Sequence, residues 1–448
     1  MTIHVPKNAV EALSALEAAG FESYVVGGCV RDALLGREPH DWDITTAAAP
    51  EQVEAVFAGA RILETGLKHG TVTLLSGGEP LEITTFRSEG AYSDGRRPDS
   101  VTFVMDIHQD LLRRDFTVNA MAYSPLRGLR DDFGGQADLA AGLLRCVGDP
   151  DERLTEDALR ILRGLRFAAR YGFTVEQETD AALRRHRDRL SNVSPERIFA
   201  ELKGILTGPG AGEMMLAYPE IFFTVFPEMA PMLGFDQHRP QAHQYDVWGH
   251  TAHAVDATPP AVILRLAMFF HDCGKPATFS QDPESGKGRF FGHPQLSAAM
   301  ADAMLRRMRC DNATRETVTA LVENHEMLTG HSKKALRRLL VKLGEERLRL
   351  LFDVCRADAA AHTPEVFEKR MAVTDSDQIL LDEILADGSC LSLKDLAIGG
   401  RELVALGLAP GPEIGAVLHT LLEEVTDEIL PNERESLLRR ATEIKGGL

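Results

Sequence analysis

Cysteine is sparse and scattered: Cys29, Cys146, Cys273, Cys310, Cys355 and Cys390, in 448 residues, form no Cys-x-x-Cys pair. That spacing excludes a zinc ribbon, offers no disulfide framework, and sets the expectation of reduced thiols in a cytoplasm. Positive charge is short as well, with 49 Lys and Arg against 67 Asp and Glu and a formal net charge of −18. Proteins that coat nucleic acid non-specifically need a basic excess, so this chain is not expected to be one, although a local basic track is not excluded. Long apolar runs are missing too. The stretch 261–270 is interrupted by Arg265, and residues 1–20 carry acids and an amphipathic Ala/Leu pattern in place of a basic start and apolar centre. Neither a signal peptide nor a membrane span is expected. No long repeat or low-complexity tract occurs.

What is present is an ordinary globular composition, 44% hydrophobic and 26% charged, in a chain longer than one core usually serves. Up to about residue 145, short β-rich runs alternate with turns and helices, as in 71–75, the turn Ser76-Gly77-Gly78-Glu79-Pro80, and 81–86. Helical periodicity dominates afterwards. Thr155 reads as a cap, with Glu156 and Asp157 in an acidic first turn and a stop at Gly172. Ser194-Pro195 opens another helix. A Pro- and His-rich passage, 238–244, and Thr258-Pro259-Pro260 separate later helical blocks, and the last stretch is punctuated by Gly399-Gly400 and Pro410-Gly411-Pro412. The expected division is 1–145, 146–235, 236–363 and 364–448.

The most informative stretch is Gly27-Gly28-Cys29-Val30-Arg31-Asp32 followed by Asp41-Trp42-Asp43. Tyr24-Val25-Val26 reads as a strand and the glycine pair as a tight turn where backbone can approach a phosphate. Residues 29–35 read as a short helix closed by Gly36. Side chains two apart on a strand point the same way, so Asp41 and Asp43 can jointly hold two divalent cations roughly 4 Å apart. That arrangement suits metal-dependent nucleotidyl transfer. Either element alone is weak, since a hairpin with solvated acids looks the same.

Further ordered motifs are Thr65-Gly66-Leu67-Lys68-His69-Gly70-Thr71, Thr84-Thr85-Phe86-Arg87, the run Arg113-Arg114-Asp115-Phe116-Thr117-Val118-Asn119-Ala120, Asp132-Phe133-Gly134-Gly135, and Glu156-Asp157-x-x-Arg160-x-x-Arg163. With the glycine and aspartate motifs, these resemble the class II tRNA nucleotidyltransferases, the CCA-adding enzymes, a family that includes the bacterial poly(A) polymerases. The resemblance implies an α+β fold: a polymerase-beta-like head with a mixed sheet, then a helical neck, body and tail. It implies tRNA, CTP and ATP as partners and Mg2+ at Asp41 and Asp43, with Glu82 as third carboxylate. It also implies that Gly28, Arg31, Arg114, Asp115, Asn119, Asp157, Arg160 and Arg163 bind the nucleotide. Asp115 and Asn119, four apart on a helix, would help hold the sugar.

Asp157 and Arg160, three apart on the expected helix, can face one ligand. Cytosine and adenine both present an amino donor beside a ring-nitrogen acceptor, so a carboxylate paired with a guanidinium accepts C and A and rejects U and G. The bland alternative for Asp157 is an acid favoured in a helix first turn. Arg163, Arg166 and Arg170 extend a basic stripe from Arg160, joined by Arg184-Arg185-His186-Arg187, for an RNA backbone. The segment 87–98 looks like the flexible loop accompanying the switch from C to A, which disfavours a C-only enzyme. Where poly(A) polymerases carry a Gly-Arg-Arg-Phe-like segment, Thr65 to Gly70 stands here. A-only addition and poly(A) synthesis remain alternatives.

The middle block holds His250, His271-Asp272, His293, His325 and Asp358, with Lys275 after the His-Asp pair. This order looks like the HD metal-dependent phosphohydrolase domain. Imidazoles and carboxylates from several helices suit one or two divalent transition metals and an activated water. A hydrolase acting on RNA ends, with the head as a binding module, is therefore the reading from another class, and an RNA-binding scaffold a third. The turns near Gly399 and Gly411 offer backbone N–H groups to the tRNA corner.

Overall fold

The computed structural model describes residues 3–67, 70–76, 79–90, 100–237, 240–284, 286, 288–327, 330–387 and 391–447. Lys68 and His69, the turn glycines Gly77 and Gly78, most of the loop expected at 87–98, His238 and Cys390 lie outside them. The chain forms two compact units, Met1–Ala230 and Pro231–Leu448.

Among the described residues, nine strands occupy the first part of unit one: β1 (Ser23–Val26), β2 (Ile44–Thr46), β3 (Arg61–Gly66), β4 (Thr71–Ser76), β5 (Glu79–Thr85), β6 (Arg87–Glu89), β7 (Val101–Phe103), β8 (Ala122–Ser124) and β9 (Gly128–Arg130). Seven form a sheet in the order β3-β4-β5-β2-β1-β8-β9, while β6 and β7 pair separately. Only β2 and β5 run parallel within the seven, so the sheet is mixed, as expected. All four side chains of β1 are buried. Tyr24, Val26, Phe86, Ile107, Leu111 and Val147 share one core, so the helix Ile107–Leu112 is clamped onto this sheet.

Three local expectations need correction. Asp41 does not lie on a strand. The ladder of β2 begins at Ile44, and only Asp43 continues it, through the Val26 N–H donating to the Asp43 carbonyl at 3.0 Å. Asp115 and Asn119 do not share a helix either: the helix ends at Leu112, and Thr117–Asn119 is a single 3₁₀ turn. Finally, Thr155 is not a cap. One helix runs Pro150–Glu156 and a second Leu159–Tyr171, with Asp157 extended between them (φ −137°, ψ 103°). The Asp157 carboxylate accepts the Leu159 N–H at 3.0 Å, supplying the capping bond that starts the second helix. That helix ends as expected at Gly172, in the left-handed conformation.

Unit two is helical apart from one short ribbon among the described residues, with helices Val247–Ala257, Val262–Phe270, His293–Arg307, Asn312–Asn324 and Glu345–Ala360 around the middle. Leu396, Leu403, Val417, Leu421 and Leu437 form a separate core toward its end. The Gly399 N–H is not free for a ligand, because the Glu402 carboxylate accepts it at 2.9 Å. Among the described residues, no helix is long and apolar enough to cross a membrane.

Candidate active site and a buried histidine cluster

The parallel register pairs Ile44 with Ile83, both buried, which sets Asp43 level with Glu82 on the opposite face of the sheet. Asp41 and Glu82 are both near enough to act on the Asp43 carboxyl. Burial raises its pKa first, Glu82 and Asp41 raise it further, and Arg114 pulls it down. Asp43 is nonetheless solvent-exposed. It is a carboxylate crowded on its protein side and open on the other, reachable by a cation. Three hard oxygen donors, two of them crowding the third, fit a divalent cation such as magnesium.

Above this cluster, Gly27 has φ 81°, and a Cβ there would lie 2.7 Å from Arg114 Nη1. The turn is glycine because Arg114 lies against its backbone. Arg114 donates to the Asn119 carbonyl at 3.4 Å, sits 3.6 Å from Asp110 Oδ2, and leaves its buried Nε without a partner. Asp110 is fully buried and holds Arg113 by two bonds, of 2.8 and 3.0 Å.

Asp115 and Asn119 meet through the 3₁₀ turn: Asn119 Nδ2 donates to Asp115 Oδ1 at 3.0 Å. Arg163 donates twice to Asp115 Oδ2, at 2.6 and 2.9 Å. Burial works against the Asp115 charge, yet Arg163, Asn119 and Arg160 outweigh it and hold the carboxyl far below the usual carboxylate range. Arg31, buried on the Gly28–Leu34 helix, donates to Asn119 Oδ1 and, at 2.7 Å, to the Tyr171 hydroxyl, which in turn donates to Asp32 at 2.9 Å. The base-recognition pair is not together here. Asp157 Oδ2 accepts from Arg197 at 2.7 Å, while Arg160 is held by Glu156 at 2.7 Å and by the Arg113 and Arg153 carbonyls. Arg166 pairs with the nearly buried Glu201, and Arg170 is exposed. Much of the 184–187 cluster is spoken for by acids: Arg184 by Asp180 and Glu220, Arg185 and His186 by Asp151.

In unit two, the structure brings together all six residues of the His/Asp set. Each of His250, His271, His293 and His325 places Nδ1 within 2.7–3.2 Å of a backbone carbonyl (Ala361, Met268, Phe290 and Val322). A carbonyl only accepts, so Nδ1 carries a proton and each ring turns its Nε2 inward, where an ion bound in place of a proton would meet a lone pair. Two such nitrogens, on His293 and His325, face each other at 3.3 Å. The His250 Nε2 lies 2.8 Å from Asp358 Oδ1. Lone pairs opposed at these distances need a cation or a proton between them, and two nitrogens each about 2.1 Å from one tetrahedral ion would stand about 3.4 Å apart. His271 Nε2 and both Asp272 oxygens are buried without a hydrogen bond, although Lys275 Nζ lies 2.6 Å from Asp272 Oδ2.

Burial lowers His271, but Asp272 and Asp358 outweigh it and push it up to about 10, while burial pushes His325 down to about 3. Mixed nitrogen and oxygen donors of this kind fit a transition metal. Three of the cluster's residues, His293, His325 and Asp358, line a cavity of about 320 Å³ together with His243, His362, Arg289 and Arg370. His362 went unnoticed in the sequence, although its spacing of four from Asp358 was a usable signal; its Nδ1 bonds the Asp358 carbonyl oxygen at 2.8 Å.

Three carboxylates beside a glycine turn on a mixed sheet define a polymerase-type nucleotidyltransferase head. Residues 23–145 match the poly A polymerase head domain family, 172–233 the probable RNA- and SrmB-binding site of polymerase A, and 290–441 a putative tRNA nucleotidyltransferase domain 2. The chain is 33% identical to the CCA-adding enzyme of Levilactobacillus brevis, over 98% of this chain and 99% of that protein. It is 47% identical to that of Streptococcus mutans over 46% of this chain and 52% of that protein. A crystal structure of the Bacillus stearothermophilus CCA-adding enzyme with CTP superimposes with a TM-score of 0.73 at 26% identity, covering 98% of each chain. The chain belongs to the CCA-adding enzymes, tRNA nucleotidyltransferases.

Proposed function

We propose that this chain completes tRNA 3′ ends with C, C and A. The terminal hydroxyl of the RNA attacks the α-phosphate of CTP or ATP, a new phosphodiester forms, and pyrophosphate leaves. The observation that carries this reading is that Asp43, immediately before β2, stands level with Glu82 on the adjacent parallel strand β5, with Asp41 close by. Magnesium bound there would activate the hydroxyl and neutralise the leaving pyrophosphate. Arg114, poised over the Gly27 turn with Nε unpartnered, binds triphosphate oxygens, and the turn itself lets the Gly28 backbone approach them. Asp115 and Asn119, oriented by Arg163 and Arg31, hold the sugar. Asp157 and Arg160 read the base, which requires them to leave Arg197 and Glu156 when nucleotide enters. Residues 1–145 serve as head, 146–235 as neck, 236–363 as an HD-type body and 364–448 as tail. The work belongs in the cytoplasm, where the RNA substrate is.

Extension of tRNA transcripts ending before CCA, after C and after CC, with each nucleotide singly and together, tests this. Addition of C, C and A followed by a stop supports it. A added only to the CC-ended transcript indicates A-only activity, long A tails poly(A) synthesis, and no extension overturns the assignment.

A second activity is favoured by the inward-facing Nε2 atoms of unit two: phosphate-ester hydrolysis at His250, His271, Asp272, His293, His325 and Asp358 around a divalent transition metal that would activate water. Hydrolysis of a phosphate ester that survives Asp41→Ala and is lost in His271→Ala tests it.

A further inference from the structure

In a chain of net charge −18, the arginines on the helical part of unit one are largely committed to acids: Arg160 to Glu156, Arg163 to Asp115, Arg166 to Glu201 and Arg197 to Asp157. Arg37 and Arg170 differ. Both are exposed, and neither has an acid partner among the described residues. They come from segments more than 130 residues apart in sequence, yet both guanidiniums lie on one ring: Arg37 Cζ is 4.9 Å and Arg170 Cζ 5.6 Å from the centroid of Tyr171.

The ring is held in place. Its hydroxyl is fixed between Arg31 and Asp32, and Phe173 stacks on it with centroids 5.3 Å apart. Arg31 is balanced by Asp32 at 2.9 Å, so the uncompensated charge at this ring belongs to Arg37 and Arg170. The two guanidinium carbons can be no more than about 11 Å apart, close to one Debye length at 0.1 M salt, so they repel each other unless an anion is shared.

We propose that Arg37 and Arg170, mounted on Tyr171, bind backbone phosphates of the RNA strand whose 3′ end enters the active site. The ligand is an extended polyanion because the compact triphosphate already has Arg114 beside Asp43, and exposed planar guanidiniums suit phosphate oxygens bidentately. Arg37 has no role in the proposed reaction, and Arg170, part of the basic stripe expected for an RNA backbone, acquires a partner on the same ring. The inference rests on the nucleotidyl-transfer reading.

The test is fluorescence anisotropy of the full chain with a tRNA transcript lacking CCA, without nucleotide, across a salt series. It compares the native chain, the double variant Arg37→Gln/Arg170→Gln, and Arg127→Gln/Arg306→Gln, which removes equal charge from arginines paired to Glu17 and Asp302. Two lost single-strand contacts flatten the slope of log K against log salt by about 1.4. Expected are that change and on the order of tenfold weaker binding at 0.1 M salt in the Arg37/Arg170 variant only, with KM for CTP and ATP within twofold of native. Unchanged affinity and slope, or an equal loss in the control pair, would overturn the proposal. A raised nucleotide KM with unchanged RNA affinity would reassign the pair to the triphosphate. If the native chain binds no tRNA, the nucleotidyl-transfer reading itself fails.

Discussion

Asp43 stands where burial, Glu82 and Asp41 all favour the protonated acid, with Arg114 opposing them. An acid whose folded-state pKa is raised binds its proton more readily folded than unfolded. Its ionised form therefore subtracts stability above the raised pKa, and the penalty disappears below the ordinary carboxylate range. Asp43→Asn is expected to lower kcat on the order of a thousandfold while raising Tm at pH 7 by roughly 2 °C. The gain should vanish toward pH 4 in thermal melts run at both pH values, and an active variant would remove Asp43 from the site. Asp115 behaves in the opposite sense. Its pKa is lowered, so its contribution is present at neutral pH and is lost as pH falls below the ordinary carboxylate range toward its folded value. Arg163→Met strands a nearly buried carboxylate, and urea unfolding at pH 7 should show a loss of about 3 kcal/mol. The deficit should narrow at pH 4, where the stranded acid takes up a proton.

Among the elements, the Gly27 turn and the break before the Leu159–Tyr171 helix decide how the site is assembled. A methyl at Gly27 would demand an unfavourable backbone conformation and push against Arg114, a cost of about 1–3 kcal/mol. Gly27→Ala should therefore raise KM for CTP and ATP about tenfold together in steady-state assays; equal KM values would show that Arg114 does not depend on the turn. At the break, Asp157 is a capping group and, in the proposed function, a base reader as well. Asp157→Ala is expected to shorten the helix start and to narrow the preference for CTP and ATP over UTP and GTP by ten- to hundredfold, the scale of one or two directed hydrogen bonds. Primer extension with each nucleotide alone measures this, and intact selectivity would place base recognition elsewhere. Nothing in the local sequence announces the break, because Thr155-Glu156-Asp157-Ala158-Leu159 is compatible with continuous helix. The carboxylate decides it by capping, and Arg197, forty residues on, holds it there.

Across the whole molecule, two compact units carry two separate constellations, each with its own donor chemistry. A ligand that binds only the folded state at a hundred times its Kd adds about 2.7 kcal/mol. Manganese or nickel should therefore raise the unfolding temperature of the metal-depleted native chain in calorimetry, and His271→Ala should abolish that shift while CCA addition with magnesium persists. A shift that survives the substitution would place the metal outside the histidine cluster.

What the sequence by itself determined was the type of chemistry. Asp-x-Asp after a glycine turn, the Glu-Asp-x-x-Arg run and the His, His-Asp, His, His, Asp order are short-range or ordered signals. A strand–turn–helix and a run of helices preserve such signals, and the β-rich beginning and helical remainder follow from apolar periodicity, while the mixed sheet is what the family resemblance implies. Tertiary structure alone decided which groups meet. Glu82 stands beside Asp43 because strand order and parallel register place it there, Arg163 reaches Asp115 across 48 residues, and His362 joins a cavity reached by the ends of several helices. Those pairings depend on packing and register between distant segments, which the spacing of residues along a chain does not encode.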